Sequence, residues 1–192
     1  MATEYEWKFD ATPRLLKEIA DAFSGEQRVF TMETTYFDTP SSALSARHYT
    51  LRRRLENGHS VCTLKTPAGK ARAEWELDCP TIAEAMEKFP TLGCPEDFAE
   101  IVKEGILPVC GAKFTRIAKT LVFPEGTLEL ALDEGVLMGG EKEIPLCEIE
   151  VELKSGEVAF CDLFAKTLAA RFRLTRQKSS KFKRALALYR GA

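Results

Sequence analysis

The chain has 192 residues, of which 45% are hydrophobic and 29% charged, a composition typical of a soluble globular protein with one sizeable core. Lys and Arg number 27 against 29 Asp and Glu, and the net charge of -2 excludes the basic field that recruits nucleic acid or an anionic membrane. No apolar run reaches membrane-spanning length, and the charged amino terminus is unlike a signal peptide. We therefore expect neither nucleic acid nor a membrane as a partner, and any anion-binding site must arise from local clustering of charge.

The six cysteines are widely scattered and include no C-x-x-C pair. Most of them lie in apolar or strand-like segments, where a buried thiol is the commoner role. We interpret them as reduced thiols, which predicts a cytoplasmic protein.

The first predicted element is a strand over residues 4–9. Because successive side chains of a strand point to opposite faces, Glu4, Glu6 and Lys8 share one face, opposite a face of aromatic residues. An ordinary half-buried strand would turn the aromatic face to the core and the charged face to water. The same pairing of a charged face with an apolar face recurs in later segments, which suggests a common purpose.

A helix follows this strand. Thr12 provides a cap, Pro13 suits the first turn, and apolar side chains recur at helical spacing as far as Phe23. We expect this helix to pack on the outside of the sheet that follows, which resumes with a strand over residues 28–38.

Three antiparallel strands are predicted next, over residues 48–55, 60–66 and 72–77. Asn57-Gly58 is the strongest hairpin signal in the chain, and residues 67–70 form a second predicted turn. The charged residues that share faces of these strands are Arg52, Arg54, Lys65, Arg72, Glu74 and Glu76.

Two short helices, beginning near Thr81 and Pro95, interrupt the sheet without starting a new domain. Strand patterning then resumes over residues 113–123, which carry Arg116, and over residues 128–133. This second group of strands again alternates apolar with charged side chains.

The last predicted strand, over residues 147–153, alternates without a break and places Glu148, Glu150 and Glu152 on one side. A long helix is predicted from Ser155, and the basic tail over residues 179–186 is predicted to be weakly helical. The sequence contains no internal repeat and no linker, which predicts a single domain over residues 1–192.

About eight strands are thus predicted, most of them antiparallel neighbours. The helices are the only available partners for the apolar faces, so helices outside a curved sheet would leave the charged faces lining its inside. A closed antiparallel barrel of about eight strands has room for side chains and one small ligand. The predicted fold class is therefore α+β, a closed eight-stranded antiparallel barrel with helices packed on the outside.

The predicted lining mixes carboxylates with cations, which is costly unless the charges pair or bind ions. The guanidinium fork of Arg matches phosphate oxygens, and Mg²⁺ prefers carboxylates together with substrate phosphates. A chain of phosphates bound with a divalent metal is therefore the ligand that this lining favours.

The residues also carry a family likeness over essentially the whole chain. Glu4-x-Glu6-x-Lys8 resembles the E-x-E-x-K signature of the CYTH superfamily, the triphosphate tunnel metalloenzymes. The segments that support this resemblance by their order are Leu51-Arg52-x-Arg54, Thr63-Leu64-Lys65, Arg72-x-Glu74, Arg116, Leu130-Ala131-Leu132-Asp133-x-Gly135, Cys147-Glu148-Ile149-Glu150 and Ser180-Lys181.

The resemblance implies hydrolysis of the terminal phosphate of tripolyphosphate, or of a related triphosphate, with Mg²⁺ or Mn²⁺. The residues that it implies as metal ligands are Glu4, Glu6, Asp133, Glu148 and Glu150. The residues that it implies as phosphate ligands are Lys8, Arg52, Arg54, Lys65, Arg116 and Lys181, with Arg72 either beside them or paired with Glu74 in the wall. The residues nearest the chemistry would be Glu4, Glu6, Lys8 and Glu150, with Glu6 or Glu150 orienting the attacking water.

Three activities share this scaffold: inorganic triphosphatase, thiamine triphosphatase and class IV adenylyl cyclase. The Leu-Ala-Leu-Asp-x-Gly and Cys-Glu-Ile-Glu segments look closest to bacterial inorganic triphosphatases, so we favour that activity. A non-catalytic module that binds polyphosphate or a nucleotide is the alternative of another class. Tyr49, Phe114 and Phe123 are candidates either for the contact of a homodimer or for the core.

Overall fold

A computed structural model describes residues 2–3, 5–68 and 71–191. The strands are β1 (Ala2–Thr3), β2 (Glu6–Asp10), β3 (Glu26–Asp38), β4 (Thr50–Glu56), β5 (His59–Ala68), β6 (Ala71–Asp78), β7 (Leu107–Phe123), β8 (Gly126–Gly139), β9 (Lys142–Gly156) and β10 (Thr175–Arg176). The helices are α1 (Pro13–Ala22), α2 (Ala43–Ala46), α3 (Ile82–Lys88), α4 (Glu96–Ile101), α5 (Val158–Phe172) and α6 (Lys181–Arg190), with 3-10 helices at Phe89–Leu92 and Val102–Glu104. In these ranges, no helix has the length and apolar character needed to cross a membrane.

The strands form one large antiparallel sheet in the order β1-β6-β5-β4-β3-β7-β8-β9-β2-β10, so the predicted mixture of an antiparallel sheet with helices is confirmed. The predicted number of eight strands is wrong, because the described residues hold ten. β1 and β10 have only two residues each, too few to show an alternating pattern in the sequence. The described strand pairs leave the sheet open between β1 and β10, so the predicted closed barrel is not confirmed.

The predicted first strand, over residues 4–9, corresponds to β2, which begins at Glu6 and in which Trp7 pairs with Val151 in β9. A separate two-residue strand, β1, precedes it, and its Thr3 pairs with Ala73 in β6. Glu4, which the resemblance implies as a metal ligand, lies outside the described residues, as do positions 69–70 of the second predicted turn.

Most other predicted elements are present, with shifted ends. The Asn57-Gly58 hairpin joins β4 to β5, and both residues have the positive φ angles, 51° and 85°, that this tight turn requires. Leu107, six residues before the predicted start, begins β7. The helix expected from Ser155 begins at Val158, because β9 continues as far as Gly156.

Helices α1 and α5 cover the outer face of β2, β8 and β9. Ile19 and Leu168 from the helices are buried in one cluster with Phe9, Leu130 and Val151 from the strands. Burying each such side chain contributes about 1.5–3 kcal/mol to folding, so the predicted apolar faces do hold the helices outside the sheet.

The short helices between β6 and β7 cover β4, β5 and β6 in the same way, with Phe89 and Phe98 buried against the strands. Tyr49 packs against this cluster, and Phe123 packs against the cluster beneath α1 and α5. Phe114 is itself buried in a third cluster. Phe114 therefore belongs to the core, whereas Tyr49 and Phe123 are half-buried at its edge.

Helix α6 lies on the other face of the sheet, the one that carries the charged residues. Phe114 and Leu137 lie an even number of positions from Arg116 and Asp133, so they share the inner face with them, and they are buried in one cluster with Ala185 of α6. The tail expected to be weakly helical is thus a complete helix. Its stability comes from this packing rather than from intrinsic propensity.

The backbone of α6 lies close to Gly139 in β8, and we expect Gly139→Ala to destabilise the protein by about 1–3 kcal/mol. An added Cβ would lie 2.4 Å from the backbone nitrogen of Tyr189 and 2.5 Å from the carbonyl oxygen of Ala185. Because both atoms belong to the backbone, the helix must move to relieve the overlap. A thermal unfolding curve should show a melting temperature several degrees lower.

The neighbouring glycine provides the control. Gly140 has a φ of 62° and no atom within 4 Å of the position of an added Cβ, so Gly140→Asn should leave the melting temperature nearly unchanged. Equal melting temperatures for the wild type and Gly139→Ala would show that α6 does not depend on this close approach.

Candidate active site

A cavity of about 450 Å³ lies against the charged face of the sheet, a volume suited to one small ligand. The cations that line it are Lys8, Arg28, Arg52, Arg54, Lys65, Arg72, Arg116, Lys154 and Lys181. The carboxylates that line it are Glu6, Glu56, Glu74, Glu76, Glu129, Glu150 and Glu152. These residues come from eight strands and from α6, so the charged faces predicted from alternation do converge on one space.

The structure brings together every predicted site residue that it describes. The two that are absent from the cavity lining, Asp133 and Glu148, are buried below it and contact the lining residue Lys181. Their position follows from the strand register, because Asp133 pairs with Glu148 across β8 and β9, and Arg116 pairs with Asp133 across β7 and β8.

Three of these carboxylates form a compact group. One oxygen from each of Asp133, Glu148 and Glu150 lies within 4.8 Å of the others. Arg116 donates hydrogen bonds of 2.7 Å from Nε and Nη2 to the two oxygens of Asp133, and a third of 2.5 Å from Nη2 to Glu150 Oε2. Burial would lower the pKa of Arg116, but the charges of Glu150 and Asp133 outweigh it and raise this pKa.

Helix α6 supplies two more cations to the same group. The ammonium of Lys181 lies 2.8 Å from Asp133 Oδ2 and 2.7 Å from Glu150 Oε1, and it also contacts Glu148 Oε1. Arg184, one turn further along α6, donates to the other oxygen of Glu148. Burial favours the neutral form of Glu150, but Lys181 and Arg116 lower its pKa, so Glu150 is ionised. Burial raises the pKa of Glu148 to about 7.

Strand β4 contributes two arginines whose hydrogen-bonding capacity is only partly used. Within the described ranges, the Nε atoms of Arg52 and Arg54 are buried without a hydrogen-bond partner. Arg54 Nη1 donates to Glu56 at 3.2 Å, whereas the nearest approach of Arg52 Nη2 to Glu74 is 3.9 Å. Burial, followed by the charges of Arg52 and Arg116, lowers the pKa of Arg54. Guanidinium groups gathered in this way would be stabilised by an anion between them.

Three further cations of the lining are Lys65, Arg72 and Lys8. Lys65 Nζ lies 3.3 Å from Glu74 Oε1, and Arg72 Nη2 donates to the carbonyl oxygen of His48 at 3.0 Å. Lys8 Nζ donates to Glu6 Oε1 at 2.7 Å, and both side chains lie on the same face of β2, as the alternation predicted. Contacts with carboxylates and with a backbone carbonyl thus hold these three cations in place.

The cavity has a buried end and an exposed end. Along β9 the exposed fraction of the inward side chains rises from 0% at Glu148 to 14% at Glu150, 23% at Glu152 and 42% at Lys154. The carboxylate group beside α6 is therefore the deep end, and a ligand would reach it past Lys154.

The lining is not wholly charged. Phe30, Met32 and Tyr36 from β3 and Phe182 from α6 also face the cavity, and the rings of Tyr36 and Phe182 lie 5.0 Å apart. This patch offers an apolar surface to any organic part of a ligand.

Sequence reasoning missed several charged residues of the site. They are Arg28, Glu56, Glu129, Lys154 and Arg184. Glu129 had a signal, since it shares the alternating face of Asp133 in β8. Arg184 lies three residues after Lys181, so a complete helix in the tail would have placed both on one side.

Comparison with known proteins is consistent with this geometry. The family model described as the CYTH domain matches residues 2–186. An inorganic triphosphatase from Haemophilus influenzae is 29% identical over 203 residues, which cover 98% of this chain and 55% of that protein. The chain therefore spans about half the length of that relative.

Two solved structures share the fold. HpAC1 from Hippeastrum, described as having a dominant triphosphatase activity, is 20% identical with a TM-score of 0.63, covering 100% of this chain and 96% of that chain. The PH1819 protein from Pyrococcus horikoshii OT3 is 21% identical with a TM-score of 0.62, covering 96% of this chain and 99% of that one. At these identities the likeness shows the fold alone.

Proposed function

Because this chain belongs to the CYTH domain family, we propose that it is a divalent-metal-dependent triphosphatase. In this proposal it removes the terminal phosphate of inorganic tripolyphosphate or of a related triphosphate. The Haemophilus influenzae relative named inorganic triphosphatase supports the choice of substrate, although this chain spans only about half of that protein.

The observation that carries the proposal is the position of Arg54. Its guanidinium group is buried beside Arg52 and Arg116, and its pKa is lowered by burial and by these two like charges. A protein that folds around such a group gains most from a ligand with several negative charges, and a chain of three phosphates meets that need.

The deep carboxylates fit a divalent cation. Asp133, Glu148 and Glu150 offer hard oxygen ligands within 4.8 Å of one another, the donor type that Mg²⁺ and Mn²⁺ prefer. Glu6 lines the same cavity, and Glu4 would follow from the resemblance. When bound, the ion would neutralise phosphate charge and lower the pKa of a water molecule.

The chain's own residues would then position the substrate and neutralise its charge. Arg52, Arg54 and Arg116 would bind phosphate oxygens, with Lys8 and Lys65 along the wall. This suits phosphoryl transfer, which requires positioning and charge stabilisation more than covalent help. A carboxylate, Glu6 or Glu150, would accept a hydrogen bond from the attacking water and orient it.

We also propose that the sheet closes into the barrel expected from the sequence. β1 and β2 are separated by only two residues, yet they pair with β6 and β9, which lie near opposite ends of the strand order. The cavity is lined by β2 to β9, as the inside of a barrel would be. The free thiols of all six cysteines support a reducing compartment, and we propose the cytoplasm.

A triphosphate with an organic group, such as thiamine triphosphate or ATP, is the second candidate substrate. The aromatic side chains of Phe30, Tyr36 and Phe182 in the cavity favour it. An inorganic chain of phosphates has no apolar surface to place against them.

The test is phosphate release from tripolyphosphate, thiamine triphosphate and ATP, each with Mg²⁺, Mn²⁺ or EDTA. We expect fast release from tripolyphosphate that EDTA abolishes. Preference for an organic triphosphate, or conversion of ATP to cyclic AMP and pyrophosphate, would keep the site and change the substrate. Tight binding of tripolyphosphate without turnover would indicate a sensor instead of an enzyme.

A further inference from the structure

Lys181 lies at the centre of the cluster formed by the carboxylates of Asp133, Glu148 and Glu150. Its ammonium contacts all three carboxylates, at 2.8 Å from Asp133 Oδ2, at 2.7 Å from Glu150 Oε1, and at Glu148 Oε1. The side chain is nine-tenths buried, with 9% of its surface exposed. Burial would lower the pKa of Lys181, but the charges of Asp133, Glu150 and Glu148 outweigh it and raise this pKa, so the side chain is a charged ammonium.

A divalent ion bound by the same three carboxylates would need the place that the ammonium fills. Asp133, Glu148 and Glu150 have ligand oxygens within 4.8 Å of one another, which leaves room for one cation between them. Two cations at that spacing would repel strongly in a buried site. The ammonium and the metal are therefore alternatives.

The position of Lys181 in the fold allows it to leave. It is the first residue of α6, and the helix is held separately by the cap of Ser180 and by the buried Ala185 and Leu186. A long flexible side chain at a helix end can change rotamer without disturbing the helix. Arg116 and the wall of the cavity lie beside it, where a bound phosphate would give the ammonium a new partner.

Arg184 would keep part of the negative charge of the deep carboxylates neutralised after Lys181 leaves. It contacts Glu148 through the oxygen that Lys181 does not use. When the ammonium moves away, Arg184 still pairs with Glu148, and Arg116 still pairs with Asp133 and Glu150.

We propose that Lys181 is an exchangeable counter-ion, which holds the three carboxylates in the metal-free protein and moves to the phosphate chain when a divalent ion replaces it. This inference rests on the proposed function, since it assigns these carboxylates to the metal. It makes metal loading the step that releases one of the phosphate-binding cations. The apparent metal affinity is then the intrinsic affinity multiplied by the fraction of molecules in which Lys181 has left the carboxylates.

The first experiment is a Mn²⁺ titration, without substrate, of the wild type, Lys181→Met and Lys183→Met. Lys183 is an exposed cation on the same helix, so its replacement makes the same change of charge away from the carboxylates. We expect Lys181→Met to bind Mn²⁺ about tenfold or more tightly than the wild type, and Lys183→Met to bind it equally well. Unchanged or weaker binding by Lys181→Met would overturn the exchange.

Lys181→Met removes one of the three cations that pair with these carboxylates and can fold poorly without metal, so thermal unfolding is the second measurement. A ligand that binds only the folded state raises the melting temperature more when it binds more tightly. The exchange predicts a larger rise with Mn²⁺ for Lys181→Met than for the wild type. An equal or smaller rise would contradict it, whatever the stability of the metal-free variant.

A crystal of the wild type with Mn²⁺ separates failure of the exchange from failure of the function. Anomalous density between Asp133, Glu148 and Glu150, with Lys181 turned away, is the expected result. Density elsewhere, with Lys181 still on the carboxylates of a protein that hydrolyses tripolyphosphate, would overturn the exchange alone. Absence of hydrolysis with every metal would overturn the proposed function, while the position of Mn²⁺ would still decide the exchange.

Discussion

Glu150→Gln is expected to lower the kcat for metal-dependent hydrolysis of tripolyphosphate on the order of 100-fold while leaving the fold intact. Glu150 accepts from Lys181 through one oxygen and from Arg116 through the other, at 2.7 and 2.5 Å. An amide keeps the shape of the side chain but loses the charge and one acceptor. The site then holds a divalent ion less tightly and stabilises less of the charge that develops during the reaction.

The fold should survive because the neighbouring cations keep other partners. Arg116 retains both bonds to Asp133, and Lys181 retains Asp133 and Glu148. Glu143→Gln, an exposed carboxylate on the same strand, is the matched control and should have wild-type kcat. Normal turnover by a folded Glu150→Gln variant would remove this residue from the metal and catalytic assignments.

The sequence predicted which faces of the strands carry charge, and these faces meet at the cavity. This succeeded because alternation along a strand is local information, readable at Glu6 and Lys8 or at Glu148 and Glu150. A second argument predicted that the charged faces converge. The helices need the apolar faces as packing partners outside the sheet, so the charged faces must line its inside. Neither step requires knowledge of the strand order.

The sequence did not show where the charged part of the inner face ends. Beyond Asp133 and Glu148 the same face becomes apolar at Leu137 and Leu146, and α6 covers it there. That change looks like any other apolar stretch until the partner helix is known. Predicting the tail as weakly helical therefore hid Arg184 and gave no sign that Lys181 reaches the deep carboxylates.

The separate strand β1 was equally hidden. The predicted strand began at residue 4, and the pairing of Ala2 and Thr3 with β6 rather than with β9 is a property of the whole sheet. The interior arginines have the same limit, because Arg52 and Arg54 show their unused Nε atoms only once the opposite wall is in place.

We expect replacement of Arg54 to have opposite effects on the stability of the ligand-free protein and on ligand binding. Arg54 is held beside Arg52 and Arg116, with a pKa lowered by burial and by their charges, so a positive charge at this position opposes folding of the ligand-free protein. The cost of burying a charge can exceed the attraction of its partner, and Arg54 is paired at 3.2 Å with Glu56, a carboxylate that is 32% exposed and stays hydrated when Arg54 is replaced. The same replacement removes a charged donor from a site that we propose binds phosphates.

Arg54→Met should therefore raise the melting temperature of the ligand-free protein by a few degrees and weaken tripolyphosphate binding on the order of 100-fold. Thermal unfolding with and without tripolyphosphate in EDTA measures both effects in one series, since the wild type should gain more stability from the ligand. Arg53→Met is the control, because Arg53 lies on the outward face of β4 and its Nε donates to Ser60 Oγ at 2.8 Å. It should leave the stabilisation by tripolyphosphate unchanged. If Arg54→Met destabilised the ligand-free protein and kept its affinity, Arg54 would be a structural residue, and the cluster of guanidinium groups would not be the phosphate site.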